Sequence, residues 1–168
     1  ELGEDASNFN VAIYHCNSDW TRSGITELDY LSEYNEFTID QGELSFDTRI
    51  HYTHYKYIVP RVKYSGNYML VVYRDFDPSN IVLTRRYSIF QKKVEVEARG
   101  SVMAHGAKQG IDFEVYHGDL GISNPLRSIL PFVRQNGINQ NTLGNFEPTF
   151  ISNDKLQYIS LNTKANFE

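Results

Sequence analysis

The sequence is poor in most features that announce a chemistry. One cysteine, Cys16, occurs in 168 residues, which excludes an intramolecular disulfide, a zinc knuckle and a CxxC redox pair. It does not fix a compartment, since many secreted domains of this size lack bridges. Basic side chains are fewer than acidic ones, 16 against 21, for a net charge of −5. A phosphate-driven nucleic-acid binder needs a concentrated basic face, so that class is excluded as the main activity. Long apolar runs are missing as well. The longest, residues 68–73, is a strand's worth, against the roughly 20 residues of a spanning helix. Direct membrane insertion is therefore not expected. No charged–apolar–small leader opens the chain, so Glu1 reads as a mature or trimmed terminus. Neither a P-loop nor a G-x-G-x-x-G run occurs, and Ser23-Gly24 and Ser65-Gly66 lack the G-x-S-x-G setting of an activated serine. No internal repeat or low-complexity tract is visible.

What the chain has in quantity is rings: 12 tyrosines, 10 phenylalanines and one tryptophan. That is enough to bury a real core, which removes intrinsic disorder from consideration. The dominant hydrophobic period is two. Phe9, Val11 and Ile13 alternate with Asn10, Ala12 and Tyr14; Tyr55, Tyr57 and Val59 share one face; residues 67–73 are apolar on both faces; and Ile81, Leu83, Tyr87 and Ile89 fall together. After Lys92-Lys93 a second series begins, with Val94 and Val96 against Glu95 and Glu97, then Ile111, Phe113 and Val115 against Asp112 and Glu114. Residues 129–133, 148–151 and 156–161 read as further strands, with Pro131 confining its strand to an edge. Residues 75–80 form a hairpin loop between two of the strands. One helical stretch of about two turns is expected over 26–33, from Thr26 with Asp29 three residues on.

Many short strands, frequent turns and little helix specify an all-β protein, an antiparallel β-sandwich. Gly66 followed by Tyr68 at the entry of a hairpin is similar to the tyrosine corner of immunoglobulin-like sandwiches. The break at Lys92-Lys93 places a first immunoglobulin-like domain at residues 1–92. Residues 93–168 fall short of the roughly 100 residues of a complete sandwich, so the second β-rich domain is either small or truncated.

No set of residues assembles an active site, and neither a catalytic residue nor a cofactor is assigned. His51 and His54 lie three apart, which on a strand points them to opposite faces, so they read as flanks of an aromatic sheet and not as metal ligands. His15 and Cys16, adjacent on a strand, diverge for the same reason. Asp75, Asp77 and Asn80 offer three oxygens where calcium wants six to eight, and read as a solvated turn. Glu95 and Glu97 share a face as a glycosidase pair would, but their neighbours Val94 and Val96 make them the outward half of an ordinary alternation. Arg85-Arg86 and Arg61-x-Lys63 read as local ion pairs. The rings carry the remaining signal. Most belong to a core, but Trp20, Arg22, Leu28, Tyr30, Leu31 and Tyr34 cluster on an irregular segment, where exposed rings serve recognition. The candidate partner-binding residues are Trp20, Arg22, Tyr30, Tyr34 and Tyr55, with Trp20, Tyr30 and Tyr55 open to either a core or an interface role.

The motif order is informative beyond composition. His15-Cys16-Asn17-Ser18-Asp19-Trp20, Leu28-Asp29-Tyr30-Leu31, Phe46-Asp47-Thr48 and Tyr52-Thr53-His54-Tyr55 are followed by Ser65-Gly66-Asn67-Tyr68, Val72-Tyr73, Thr84-Arg85-Arg86, Gly110-Ile111-Asp112-Phe113, Ile122-Ser123-Asn124-Pro125, Gln135-Asn136-Gly137 and Pro148-Thr149-Phe150. The series resembles the plug-protein family of the type IX secretion system of Bacteroidota over residues 11–168. It departs from the family's pattern at Ile138-Asn139-Gln140, where an Arg-Trp-Asp segment is usual, and at a shortened stretch around Pro60. The family is longer, so the resemblance implies an N-terminal fragment. It further implies a non-enzymatic, periplasmic, multi-domain sandwich protein, peripheral to the outer membrane, whose partner is the β-barrel translocon that it closes. The alternative is a glycan-binding or adhesive sandwich module, which the ring surplus suits; a hydrolase ranks last, for want of convergent carboxylates in a pocket.

Overall fold

In the computed structural model, which describes residues 8–102, 109–138, 141–159 and 166–167, the chain divides into two compact units, Glu1–Gln91 and Lys92–Glu168. The architecture is all-β, built of antiparallel sheets that do not close into a barrel.

The alternation at the start of the chain becomes β1 (Phe9–Cys16). A single helical turn, α1 (Glu27–Tyr30), follows, then β2 (Phe37–Thr38), β3 (Gln41–Leu44), β4 (Thr53–Lys56), β5 (Gly66–Arg74) and β6 (Ile81–Ile89). The first sheet has the order β2-β1-β5-β6, and β3 pairs with β4 in a second. Register explains the core. Val11 sits opposite Val72 and Ile13 opposite Leu70, so one face of β1 and β5 presents Phe9, Val11, Ile13, Tyr68, Leu70 and Val72, all buried. Tyr30 and Leu31 complete this cluster, and Ile39, Tyr55 and Tyr57 pack on it from the side of the second sheet. That is the sandwich arrangement, with inner faces interdigitated. Phe9 meets the Tyr55 ring edge-on at 4.8 Å.

Tyr68 behaves as a tyrosine corner. It is fully buried, its hydroxyl donates to the Tyr64 carbonyl at 2.8 Å, and its ring stacks on Tyr87 at 5.5 Å. Gly66 precedes it at φ +155°, and a Cβ there would land on the His15 ring.

Two local expectations are corrected. The helix covers one turn, not two. Asp29 reaches back to the Thr26 amide and hydroxyl as the capping pattern requires, but Leu31 turns to extended backbone at φ −101° and ψ 154°. That turn lets both Tyr30 and Leu31 enter the core, so tertiary burial outweighs continued helix. The other correction is on β6. Leu83 opposes Val72, yet Tyr73 opposes Ile81, a one-residue bulge. The bulge moves Ile81 to the face of Tyr73, away from Leu83, Tyr87 and Ile89.

In the second unit β7 (Glu95–Val102) pairs along β8 (Gln109–Tyr116). Then come α2 (Pro125–Ser128), β9 (Val133–Arg134), β10 (Thr142–Leu143), β11 (Phe150–Ile151), β12 (Lys155–Tyr158) and β13 (Asn166–Phe167). The main sheet runs β11-β12-β8, with β7 on the far side of β8 and β13 beside β8 near its start; β9 and β10 form a separate hairpin. The core is Phe113, Val115, Phe146, Leu156 and Tyr158. Phe113 stacks on Tyr158 at 4.5 Å. The strand expected over 129–133 shrinks to Val133–Arg134, because Pro131 has no donor for a ladder. That expected over 148–151 begins only at Phe150. Asn139 and Gln140, in the departure from the family pattern, and the end of the strand expected over 156–161, beyond Ile159, lie outside the described residues.

Candidate functional site

The second face of the first sheet carries the most concentrated arginine–aromatic chemistry. Because β-strand side chains alternate, Tyr14, Met69 and Arg86 form one cross-strand row on this face. The chain leaves β1 at Cys16 and folds back over that row. The Asn17 amide donates to the Thr21 carbonyl at 2.8 Å and the Trp20 amide to the Asn17 carbonyl at 3.0 Å. Asp19 accepts from the Thr21 hydroxyl at 2.6 Å and from its amide at 3.0 Å, and these bonds hold the Asp19 carboxyl below the usual carboxylate range. A bridge between Cys16 and Arg22 closes the loop.

This tight reversal requires a left-handed residue, and Trp20 supplies it at φ +69°. A bulky residue rarely adopts that conformation and it costs on the order of 1–3 kcal/mol. Here it lays the indole beneath Arg86, whose guanidinium stands 5.1 Å above the ring. Next to it Arg22 lies 4.4 Å over the Tyr14 ring and pairs with Glu27 at 2.8 Å. Each cation–π contact contributes about 0.5–1 kcal/mol at such partly exposed sites. Below, burial pushes the Cys16 thiol up from its ordinary value, so it stays protonated and packs as a small apolar residue.

The five candidate contact residues do not form one patch. Trp20 and Arg22 lie together on the outer face just described. Tyr34 projects alone, 81% exposed. Tyr55 is half-buried on the opposite side, edge-on to Phe9. Tyr30 is a core residue, 1% exposed, with its hydroxyl donating to the Ile13 carbonyl at 2.9 Å; it is not available to a partner in this fold. Sequence reading missed Tyr14 and Arg86. Tyr14 sat in the polar half of an alternation, and Arg86 read as half of a local ion pair. Neither carried a local signal, because the loop after β1 is what brings Trp20 to Arg86 and Arg22 to Tyr14.

The other residues weighed for chemistry stay apart. His51 and His54 are both exposed. His15 is half-buried, its Nδ1 2.8 Å from the Ser23 hydroxyl and its ring edge-on to Tyr68 at 5.1 Å. Asp77 accepts from the Ser79 amide and hydroxyl at 2.9 and 2.7 Å, which closes the turn of the 75–80 loop. Among the described residues no group of three or more His, Cys, Asp or Glu side chains is placed to hold a metal ion. In the second unit Glu97 opposes Glu114. Glu114 accepts from the Tyr116 hydroxyl at 2.5 Å, Lys155 at 2.9 Å and Gln157 at 2.8 Å, which keeps its carboxyl below the ordinary range, with the tyrosine bond the larger cause. A carboxylate so fully occupied is a structural acceptor and not a free base.

The family model described as the type 9 secretion system plug protein 1st domain matches residues 1–91, the same span as the first compact unit. A crystal structure of a hypothetical protein from Parabacteroides merdae is similar over 99% of the present chain, with a TM-score of 0.89 and 26% sequence identity. The chain spans 44% of the length of that protein. No curated protein matches the chain.

Proposed function

Because the chain belongs to the type 9 secretion system plug protein family, through a first domain that covers residues 1–91, we propose that it is a non-enzymatic periplasmic subunit that binds the outer-membrane translocon of that system and closes it. The family match carries the reading. The chemistry of the chain is compatible with it: a plug acts by shape and not by catalysis, and each unit is built of sheets with a packed aromatic core of its own. Among the described residues no helix is long and apolar enough to cross a membrane.

The contact face proposed is the Trp20–Arg86 and Arg22–Tyr14 surface, with Tyr34 exposed apart from it. Trp, Tyr and Arg dominate binding hot spots because each combines a large apolar plane with a polar handle. Here the arginines hold both rings in place before a partner arrives, which reduces the ordering cost of association. The glycan-binding alternative calls for a bare planar row of rings. It is not favoured, because Trp20 and Tyr14 each lie under a guanidinium. The reading is tested by affinity purification of the tagged native protein from its host. Recovery of the outer-membrane translocon, diminished by Trp20→Ala with Arg22→Ala, is expected. Purification that never brings the translocon would overturn it.

A further inference from the structure

The inner face of the first unit is only partly covered. The second sheet consists of the short strands β3 and β4, and the larger sheet extends past it to β6, an edge strand of nine residues among those described. An open groove of about 790 Å³ results, lined by Val11, Ile39, Tyr55, Leu70, Val72 and Leu83, among other residues. That volume falls within the range of about 300–1,000 Å³ typical of binding sites.

Three observations define what fits. The charged side chains that line the groove are Arg74 and Arg85, with no acid among the lining residues. Arg85 stands opposite Leu70 on the inner face, is exposed, and makes no ion pair among the described residues. Tyr57, also in the lining, has a buried hydroxyl without a hydrogen-bond partner among the described residues. Finally, among the described residues β6 has β5 as its neighbour on one side only, with Val82 and Leu83 about half exposed beside that edge. An unpaired edge with apolar side chains is a template for another strand.

We propose that the groove and the β6 edge together receive an extended peptide segment of a partner protein, by strand addition. The segment carries apolar residues at alternate positions, which enter the groove, and one carboxylate on the same face, which meets Arg85. Its backbone pairs with β6, so main-chain bonds give affinity while the pockets and the charge select the sequence. The occupant completes the sandwich at the place where β3 and β4 fall short. This holds whether or not the chain closes a translocon, and binding at this inner face is separable from contacts at Trp20.

The test uses the 168-residue chain and three fluorescently labelled eight-residue peptides that alternate threonine with valine. One carries a central glutamate on the valine face, one a lysine there, and one the glutamate with alternate backbone amides methylated. Fluorescence anisotropy is expected to show saturable binding of the glutamate peptide, about tenfold tighter than the lysine peptide, since Arg85 is the charge it meets. Methylation removes the edge bonds and is expected to abolish binding. Arg85→Glu is expected to invert the glutamate–lysine preference, and Arg85→Gln to erase it; the peptide swap on the unaltered chain tests the same point without any variant. Equal binding of the glutamate and lysine peptides, binding that survives methylation, or no saturable binding would overturn the proposal. A concentration-dependent dimer in sedimentation, dissolved by Leu83→Asp, would assign the groove to a second copy and overturn it too.

Discussion

Tyr68 joins three kinds of interaction in the first unit, so its replacement separates them. The ring is fully buried, stacked on Tyr87 at 5.5 Å, edge-on to Tyr30 at 5.8 Å and to His15 at 5.1 Å. The hydroxyl makes one bond, to the Tyr64 carbonyl. Tyr68→Phe keeps every ring contact and removes that bond, which leaves a carbonyl short of its partner and costs about 1–2 kcal/mol. Tyr68→Ala removes the ring as well and opens a cavity, at about 3–5 kcal/mol. The assay is built into the chain. Trp20 is its one tryptophan and lies in the first unit, so indole fluorescence during thermal unfolding reports that unit separately from the second. In a unit of 91 residues, each kcal/mol corresponds to roughly 4–8 °C of melting temperature. The phenylalanine variant should therefore melt some 4–16 °C lower, and the alanine variant should lose most of the unit's stability. If Phe and Ala cost the same, the Tyr68 ring contributes nothing to the packing of this core.

Other perturbations read different parts of the molecule. Gly66→Ala adds a methyl where the His15 ring already sits, at a φ few side chains adopt, and should destabilise the first unit by about 1–3 kcal/mol in the same fluorescence assay. Glu114 has a carboxyl held below its ordinary value by Tyr116 and Lys155. Its contribution is present above the ordinary value of 4.5 and is lost as pH falls through the lower folded value, so acid unfolding of the second unit should shift to higher pH in Glu114→Gln. Burial pushes the Tyr57 and Tyr68 hydroxyls up from 10.0 to about 12 each. The unfolded chain ionises first, so stability should fall between pH 10 and 12, and phenolate absorbance should rise together with loss of the fold. Trp20→Ala should weaken capture of the translocon while far-UV circular dichroism stays unchanged, since the side chain lies on the surface of the sheet and not in its core.

The sheet chemistry was legible because a period of two has one physical meaning. Phe9, Val11 and Ile13 read as one buried face and are one, and Tyr68 read as a tyrosine corner from its glycine two residues before. What escaped was decided by contacts distant in sequence. The helix over 26–33 stops after one turn because Leu31 is drawn into a core made by strands elsewhere. Ile81 changed face because of a bulge opposite Tyr73, which no alternation records. The candidate site was half legible: Trp20 and Arg22 stood out on an irregular segment, but their partners Arg86 and Tyr14 come from regular strands, where a sequence marks them as ordinary. Tyr30 looked like its neighbours on that segment, and only the packing shows that its ring points inward.

Closure of the translocon by this protein is read by channel conductance. The translocon is purified with the native protein bound, inserted in a planar bilayer, and recorded before and after the bound protein is stripped. Low conductance is expected while the protein is bound, a large open conductance on its removal, and closure again when it is added back from the periplasmic side. Equal conductance in the bound and stripped states would mean that the protein does not close the channel.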